Sequence, residues 1–490
     1  MKRITSVSLL ALALAGCVNM APDHTRPALA SAAAYDPAFA PDGTVTAATL
    51  SYGDWFTDPR LVALLDTAVA NNRDLMAATA RIEQARAQYR IQDSRRLPTA
   101  VASAAASRTR TPLGTLDSEA AGAVTTDRFD VGVGVTSFEL DFWGRVANLS
   151  DAARAQYLAT EANQRAFYLS LIADVASTYF ELRETEAQID LAQATLDSRR
   201  EGLRIAQLRL DAGVTSALPY RQAETLLTSA EQQLAAQQLA QAQLRNQLAV
   251  LVGGSIPTDL PGAMSLQSQG NAMVLDAGTP SELLLVRPDL VAAEEQLRAA
   301  RANIGAARAA FFPTISLTGS AGFASSDLGD LFGSDGATWS FGPTISLPIF
   351  DWGAREADLD LAKAREVEQV ALYEKAVQTA FREVSDGLAG RRWLAQQVAA
   401  QEQGVAAQER IARLARLRYR EGVADYLEVL DAERNLFTAQ QQLLTTQRAF
   451  LQNGTSLFVA LGAAETARAE RVYHDVDLMG GVTASSYRFH

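Results

Sequence analysis

The chain has 490 residues, 48% hydrophobic and 20% charged, with 44 Lys and Arg against 56 Asp and Glu for a net charge of -12. The acidic balance makes it a poor nucleic-acid binder, and its single cysteine, Cys17, excludes a disulfide framework or a thiolate metal site. The three histidines, His24, His474 and His490, lie near the termini with no zinc spacing, nucleophile elbow or P-loop between them, so no catalytic residue, metal or cofactor is expected.

Residues 1–16 read as a signal peptide: Lys2 and Arg3, a short apolar run, then Leu14-Ala15-Gly16 before Cys17, the order of a bacterial lipoprotein cleavage box. Cys17 is the expected lipidation site, a palmitate-type anchor. Cleavage removes Lys2 and Arg3 and leaves 42 basic against 56 acidic side chains, about -14. Val18 follows the cysteine in place of an inner-membrane retention aspartate, which favours the outer membrane. No window holds 18 uninterrupted apolar residues, so spanning helices are not expected.

From residue 58 the chain repeats itself. "NRDL" at Asn72 to Leu75 matches "VRPDL" at Val286 to Leu290, and "LPT" at Leu97 to Thr99 matches "FPT" at Phe312 to Thr314, with Asp74 to Asp289 and Pro98 to Pro313 both 215 positions apart. Trp143 of "FWG" and Trp352 of "DWG" are 209 apart, as are "LRLDAGV" at Leu208 to Val214 and "LRYREGV" at Leu417 to Val423. Two copies are too few for a solenoid and point to a duplicated unit. Repeat 1 covers residues 58–253 and repeat 2 covers 281–462, with a linker at 254–280 and a tail at 463–490.

Each repeat reads as helix, strand, loop, strand, long helix, tight turn, helix. A helix is expected from Pro59 to about Leu97, stopped by Pro98. A long helical pattern runs from Arg145 to Leu210, with Val175, Leu182, Ile189, Leu196, Leu203 and Leu210 at heptad spacing. Leu430, Phe437, Leu444, Leu451 and Phe458 repeat the same seam in the last helix. At about 1.5 Å per residue such a helix reaches roughly 100 Å. Tips fall at 211–216 and 421–426, where Gly213 and Gly422 suit the left-handed residue that stops a helix.

Strands are expected at about 99–109, 128–140, 314–324 and 337–349. In the last of them Trp339, Phe341, Ile345 and Leu347 alternate with Thr338, Ser340, Gly342, Thr344 and Ser346, so one face is apolar and the other small and uncharged. Ten tilted residues cross a bilayer, and in lipid a sheet must close, because its edges would otherwise lack hydrogen bonds. Four strands cannot close alone. A dimer of eight strands and a trimer of twelve both satisfy the arithmetic. Trp143-Gly144 and Trp352-Gly353 are the expected corners where strands give way to long helices.

Four stretches carry a resemblance: "DWFTDPRLVALLDTAVANNRDL" (Asp54 to Leu75), "VRPDLVAAEEQLRAARANIGAARAAFFPTISLTG" (Val286 to Gly319), "FDWGAR", and "LRYREGVADYLEVLDAERNLFTAQQQLL" (Leu417 to Leu444). They resemble the TolC/OprM-type outer membrane factors of tripartite, RND-type efflux pumps, in the NodT-like lipoprotein branch. The resemblance implies a mainly α, TolC-like fold with long coiled-coil helices and a membrane β-barrel. It implies four strands per chain completing a 12-stranded barrel in a homotrimer, and an equatorial band built from residues 17–57, 254–280 and 463–490. It also implies an outer membrane exit duct for drugs or other small toxic compounds, with most of the chain in the periplasm of a Gram-negative bacterium. The implied partners are a periplasmic adaptor and an inner-membrane transporter.

Carried over by matching residues, the periplasmic gate would be Leu427 and Asp431, with Arg434 and Tyr419 in a polar latch and Asp211 as a latch partner matched by position within the repeat. The adaptor would meet Gly213, Val214 and Thr215 on one tip and Gly422, Val423 and Ala424 on the other. Two alternatives stay open at this stage: an exit duct for protein secretion of type I, and a lipid-anchored soluble coiled-coil scaffold.

Overall fold

The structure is a computed structural model that describes residues 19–28, 34–39, 45–112, 122–269, 275–276 and 287–463. The signal peptide, Cys17 and the tail beyond Ala463 lie outside the described residues. The chain divides into two compact units: residues up to 28 with 81–161 and 292–373, and 29–80 with 162–291 and 374–490.

The first unit holds a four-stranded antiparallel sheet, β2 (Ala100–Pro112), β3 (Ala123–Glu139), β5 (Thr314–Ser325) and β6 (Ala337–Ser346), in that spatial order. Register sorts its side chains into two faces. Ala102, Val133, Ala321 and Trp339 form one cross-strand row, and the next row, Ser103, Gly132, Gly322 and Thr338, points the other way. On the polar face Ser320 and Ser340 share a 2.7 Å hydrogen bond, and the Thr318 hydroxyl donates to the Gly342 carbonyl at 3.0 Å. β3 and β5 approach closely where both lack side chains: a Cβ on Gly322 would sit 2.2 Å from the Val131 carbonyl oxygen and 2.5 Å from Gly132 Cα. A bulge between Val135 and Phe138 restores the facing, so that Phe138 opposes Leu317. β2 and β6 are the two edges of the sheet.

The ends of these strands differ from the sequence reading. β2 runs to Pro112 and β3 begins at Ala123, because Arg108 and Asp127 pair side by side (Nε to Oδ1 2.7 Å) and the ladder continues past them to Pro112 opposite Ala123. β6 stops at Ser346, where its partner β5 begins at Thr314, so Leu347 to Ile349 lie beyond the ladder. In the same unit an extended segment, residues 19–28, is strapped onto a helix, α6 (Pro288–Ala309). Arg301 donates to the Thr25 carbonyl at 2.7 Å and Arg308 to the Met20 carbonyl at 3.0 Å, while Gly305 admits Ala21, whose backbone N would lie 2.7 Å from any added Cβ.

The second unit contains most of the two hairpins, α4 (Arg145–Asp211) with α5 (Ala217–Leu251), and α7 (Ala354–Arg420) with α8 (Tyr426–Ala460). Both α4 and α7 have 67 residues and begin in the first unit. The core gathers where α1 (Tyr52–Trp55) and α2 (Pro59–Asn71) meet the hairpins. Trp55 stacks on Phe458 at 5.2 Å, and Leu61, Leu64, Leu65, Tyr168 and Tyr179 are fully buried. Of the α4 heptad positions Val175, Leu182 and Leu196 are buried, whereas Ile189, Leu203 and Leu210 remain partly exposed. A short parallel pair, β1 (Val45–Thr46) and β4 (Leu275–Asp276), completes this unit.

The helix expected from Pro59 to about Leu97 is two helices. It breaks at Asn72 and resumes as α3 (Arg73–Ser94), which stops three residues short of Leu97. Asn72 is extended (φ -61, ψ 126), its Oδ1 accepts from Leu75 N at 2.8 Å, and its Nδ2 donates to the carbonyl of Leu251, the last residue of α5, at 2.9 Å. It caps one helix end and closes another. Its repeat counterpart Arg287, 215 positions on, donates Nη1 to the carbonyl of Ala460, the last residue of α8, at 3.1 Å.

Candidate functional site

The tips are built from helix-stop chemistry. At the end of α4, Gly213 (φ 70) donates to the Leu210 carbonyl and Val214 to that of Arg209, the paired bonds of a Schellman cap. At the end of α7, Gly422 (φ 77) and Val423 donate to the carbonyls of Tyr419 and Arg418 in the same pattern. The return helices start differently: Ser216 caps α5 by accepting from Leu218 N, while Asp425 makes no side-chain cap bond for α8. Each tip leaves apolar side chains in the open, Val214 and Leu218 on the first, Val423 and Leu427 on the second.

The expected gate residues divide into two groups. Asp431 accepts from Arg434 Nη2 at 3.0 Å, with both side chains more than half exposed, and Leu427 lies one turn before Asp431 on the same face of α8. Tyr419 is not part of that pair. Its ring meets Tyr426 at 5.1 Å and lies under the Arg209 guanidinium at 4.8 Å, so it faces α4. Asp211 accepts from Gln207 on its own helix at 2.7 Å and joins neither group. Tyr419 therefore belongs to a tyrosine pair with an arginine over its ring, and the Asp431–Arg434 pair stands apart from it.

Several tip contacts escaped the sequence reading. Arg416 donates to Glu433 at 2.8 Å and Arg418 to Glu428 at 2.7 Å, so two ion pairs cross from α7 to α8 near the turn. Their signal was present, since opposite charges at nearly equal distances on either side of a tight turn face each other. Gly202 on α4 had no such signal: it forms a notch for Tyr426, whose hydroxyl would lie 2.6 Å from an added Cβ. Burial, helped by Glu433, pushes the Tyr426 hydroxyl up to about 12, so it stays protonated. Beside the notch Arg199 is buried and donates Nη1 to the Leu226 carbonyl at 3.0 Å, tying α4 to α5. Burial lowers its proton affinity, an effect opposed by Glu433 and Tyr426.

The corners also separate. Trp143 stacks on Phe312 at 4.7 Å and donates Nε1 to the Pro313 carbonyl at 2.9 Å. Asp141 then caps α4 by accepting from Arg145 N and Ala147 N, and Gly144 turns with φ 71. At the second corner Asp351 accepts from Gly353 N and Arg355 N, and both Trp352 (φ 58) and Gly353 (φ 86) are left-handed. Trp352 is 89% exposed. Among the described residues no helix is long and apolar enough to cross a membrane, and no cluster of His, Cys, Asp and Glu could hold a metal ion.

A four-stranded sheet with one apolar face, continued through two corners into two long helical hairpins, defines the TolC-like class of outer membrane channel proteins. The chain belongs to the family described as Outer membrane efflux protein, which it matches over residues 64–254 and 279–463. It is 45% identical to the solvent efflux pump outer membrane protein SrpC of Pseudomonas putida over 466 residues, covering 94% of this chain and 98% of that one. It is 40% identical to the cation efflux system protein CusC of Escherichia coli K12 over 458 residues, covering 92% and 97%. The crystal structure of the open state of the Neisseria gonorrhoeae MtrE outer membrane channel superposes with a TM-score of 0.82 at 39% identity, over 91% of this chain and 98% of that one. The chain is thus an outer membrane efflux protein, the exit duct of an efflux system.

Proposed function

We propose that three copies of the chain close their sheets into one 12-stranded barrel in the outer membrane, and that six helical hairpins extend it as a tunnel through the periplasm. The observation that carries this reading is the sheet itself, with edge strands β2 and β6 left for pairing, an apolar face for lipid, and an opposite face of small and polar side chains for a lumen, where Arg128 and Asp130 pair at 2.7 Å. Lipid on Cys17 tethers each copy beside the barrel. A soluble coiled-coil scaffold would need no such sheet. The duct is passive, and the work of transport belongs to an inner-membrane transporter and a periplasmic adaptor, which docks on the exposed tips around Val214 and Val423.

Leu427 and Asp431 line the closed periplasmic end, and the contacts of Tyr419 and Arg434 hold it. Three copies of Asp431 around an axis repel one another and favour bound cations, so the resting mouth is narrow and acidic. The duct does not choose its cargo: relatives at 45% and 40% identity are named for solvents and for cations. Solvents such as toluene, antibiotics and cations therefore make up the panel on which a deletion strain is scored. Hypersensitivity to at least one class, restored by the chain in trans, is the expected result; a null panel would favour protein secretion.

The gate has its own measurement. Asp431→Ala combined with Arg434→Ala should enlarge the single-channel conductance of purified protein in planar bilayers, because an exposed i,i+3 pair supplies only about 0.3–0.5 kcal/mol per copy and opening needs a small push. Unchanged conductance would remove these two residues from the gate.

A further inference from the structure

Both halves of the chain carry the same corner, but only one corner finds its seat inside the chain. Trp143 and Trp352 are 209 positions apart, each followed by a left-handed glycine at the start of a 67-residue helix. Trp143 sits on Phe312 and Pro313, the residues that lead into β5. By the 215-residue spacing of the strands that open each repeat, their counterparts are Leu97 and Pro98, which lead into β2. Among the described residues the Trp352 ring meets only that of Phe350, at 4.7 Å, and Trp352 is 89% exposed, while Leu97 is 70% exposed. A bulky residue at φ 58 is held in a strained backbone conformation besides. One ring lacks its seat and one seat lacks its ring.

The strands leave the same gap. β3 pairs with β5 inside the chain, but the equivalent pair, β6 with β2, consists of the two edges of one sheet. Moving the observed partners Phe138 and Leu317 by 209 and 215 positions sets Leu347 opposite Ala102, and so Ile345 opposite Ala104. Side-chain parity checks this register. Ala102 and Ala104 lie on the face of Val133 and Trp339, as do Ile345 and, by alternation, Leu347, so apolar meets apolar and bulky meets small. A slip of one residue would set the apolar row of one sheet against the polar row of the next.

We propose that Trp352 is an anchor between copies. It seats on Leu97 and Pro98 of a second copy of this chain and donates its Nε1 hydrogen to the Pro98 carbonyl, while β6 pairs with β2 of that copy with Ile345 opposite Ala104. The inference rests on the multi-chain barrel above and adds to it the residues and register of the seam.

Paired cysteines test it. Phe312→Cys with Trp143→Cys is the benchmark inside one chain, and Leu97→Cys with Trp352→Cys is its equivalent between copies; the parent, whose one cysteine is Cys17, gives the background. Each is treated in membranes with a short bismaleimide and run on denaturing gels. The benchmark should stay at the mass of one chain, and the second pair should give linked species of two and three chains. Trp352→Ala should lower the temperature at which purified assemblies fall apart, with Trp352→Phe in between. If light scattering shows an assembly but the second pair links no more than the parent, the seam is wrong and the barrel stands. Particles of one chain throughout would overturn both.

Discussion

His24 shows how much one side chain can report. Its Nε2 lies 3.1 Å from Glu294 and its Nδ1 3.2 Å from Arg301, which can only donate, so the ring is neutral with its proton on Nε2. Burial holds its pKa below the ordinary 6.5, and Arg298 and Arg301 add to this against the pull of Glu294. A folded-state pKa below the unfolded value means the unfolded chain binds the proton more readily. The strap over α6 should therefore lose stability as pH falls through about 6.5 towards the folded value. Melting temperatures between pH 7 and pH 5 should fall more steeply for the parent than for His24→Gln, and parallel curves would remove His24 from the account. Gly202 makes a second test. Alanine in a helix interior is favoured over glycine by about 1 kcal/mol, so Gly202→Ala should stabilise α4 unless the notch matters. With Tyr426 in place the variant should be leaky in bilayers, and Tyr426→Phe should restore the closed conductance. A tight Gly202→Ala channel would show that the hydroxyl needs no notch.

At the scale of elements, the sequence conveyed the strands and hairpins well because their signals are local: period-two alternation, heptads, and glycine at each stop. It missed what depends on distant partners. Asn72 was legible as part of a repeated motif, but the break it makes follows from its bond to Leu251, 179 residues away. Asp58 caps α2 locally by accepting from Arg60 N at 2.9 Å, yet it also accepts from Tyr179 Oη at 2.6 Å and Gln269 Nε2 at 3.0 Å and is buried. The gate was read from family pattern alone, and nothing in its local sequence places Tyr419 against Tyr426 and Arg209. The β3–β5 seam supplies the prediction at this scale. Gly322→Ala should sharply reduce assembled protein in the outer membrane fraction, since the new methyl meets backbone at 2.2 Å, whereas Gly342→Ala, with its nearest atom at 3.9 Å, should leave yield unchanged. Equal yields would show that the sheet can spread at no cost.

For the molecule as a whole, the question is which feature holds it in the membrane. A lipid on one cysteine anchors a chain without spanning the membrane, whereas a closed barrel is integral. With a cleavable non-lipoprotein leader and Cys17→Ala, the chain should still need detergent for extraction. Release into plain buffer would return the soluble scaffold to favour. Duplication explains why so large a protein needs so few motifs: each is written twice, and the apolar faces and corners of both repeats come from the same short vocabulary.

The two tips nevertheless differ in a way that matters once they stand in a ring. Ion pairs near the first tip run along single helices, Glu201 with Arg204 and Arg221 with Glu224, while near the second, besides Asp431 with Arg434 within α8, Arg416 with Glu433 and Arg418 with Glu428 staple α7 to α8. In the proposed trimer, six hairpins would alternate between loosely and firmly joined ends, so the mouth would have threefold mechanics inside a nearly sixfold outline. A ring-shaped partner with six identical arms would meet two kinds of seat in turn, and its arms would have to differ in grip even if they do not differ in sequence.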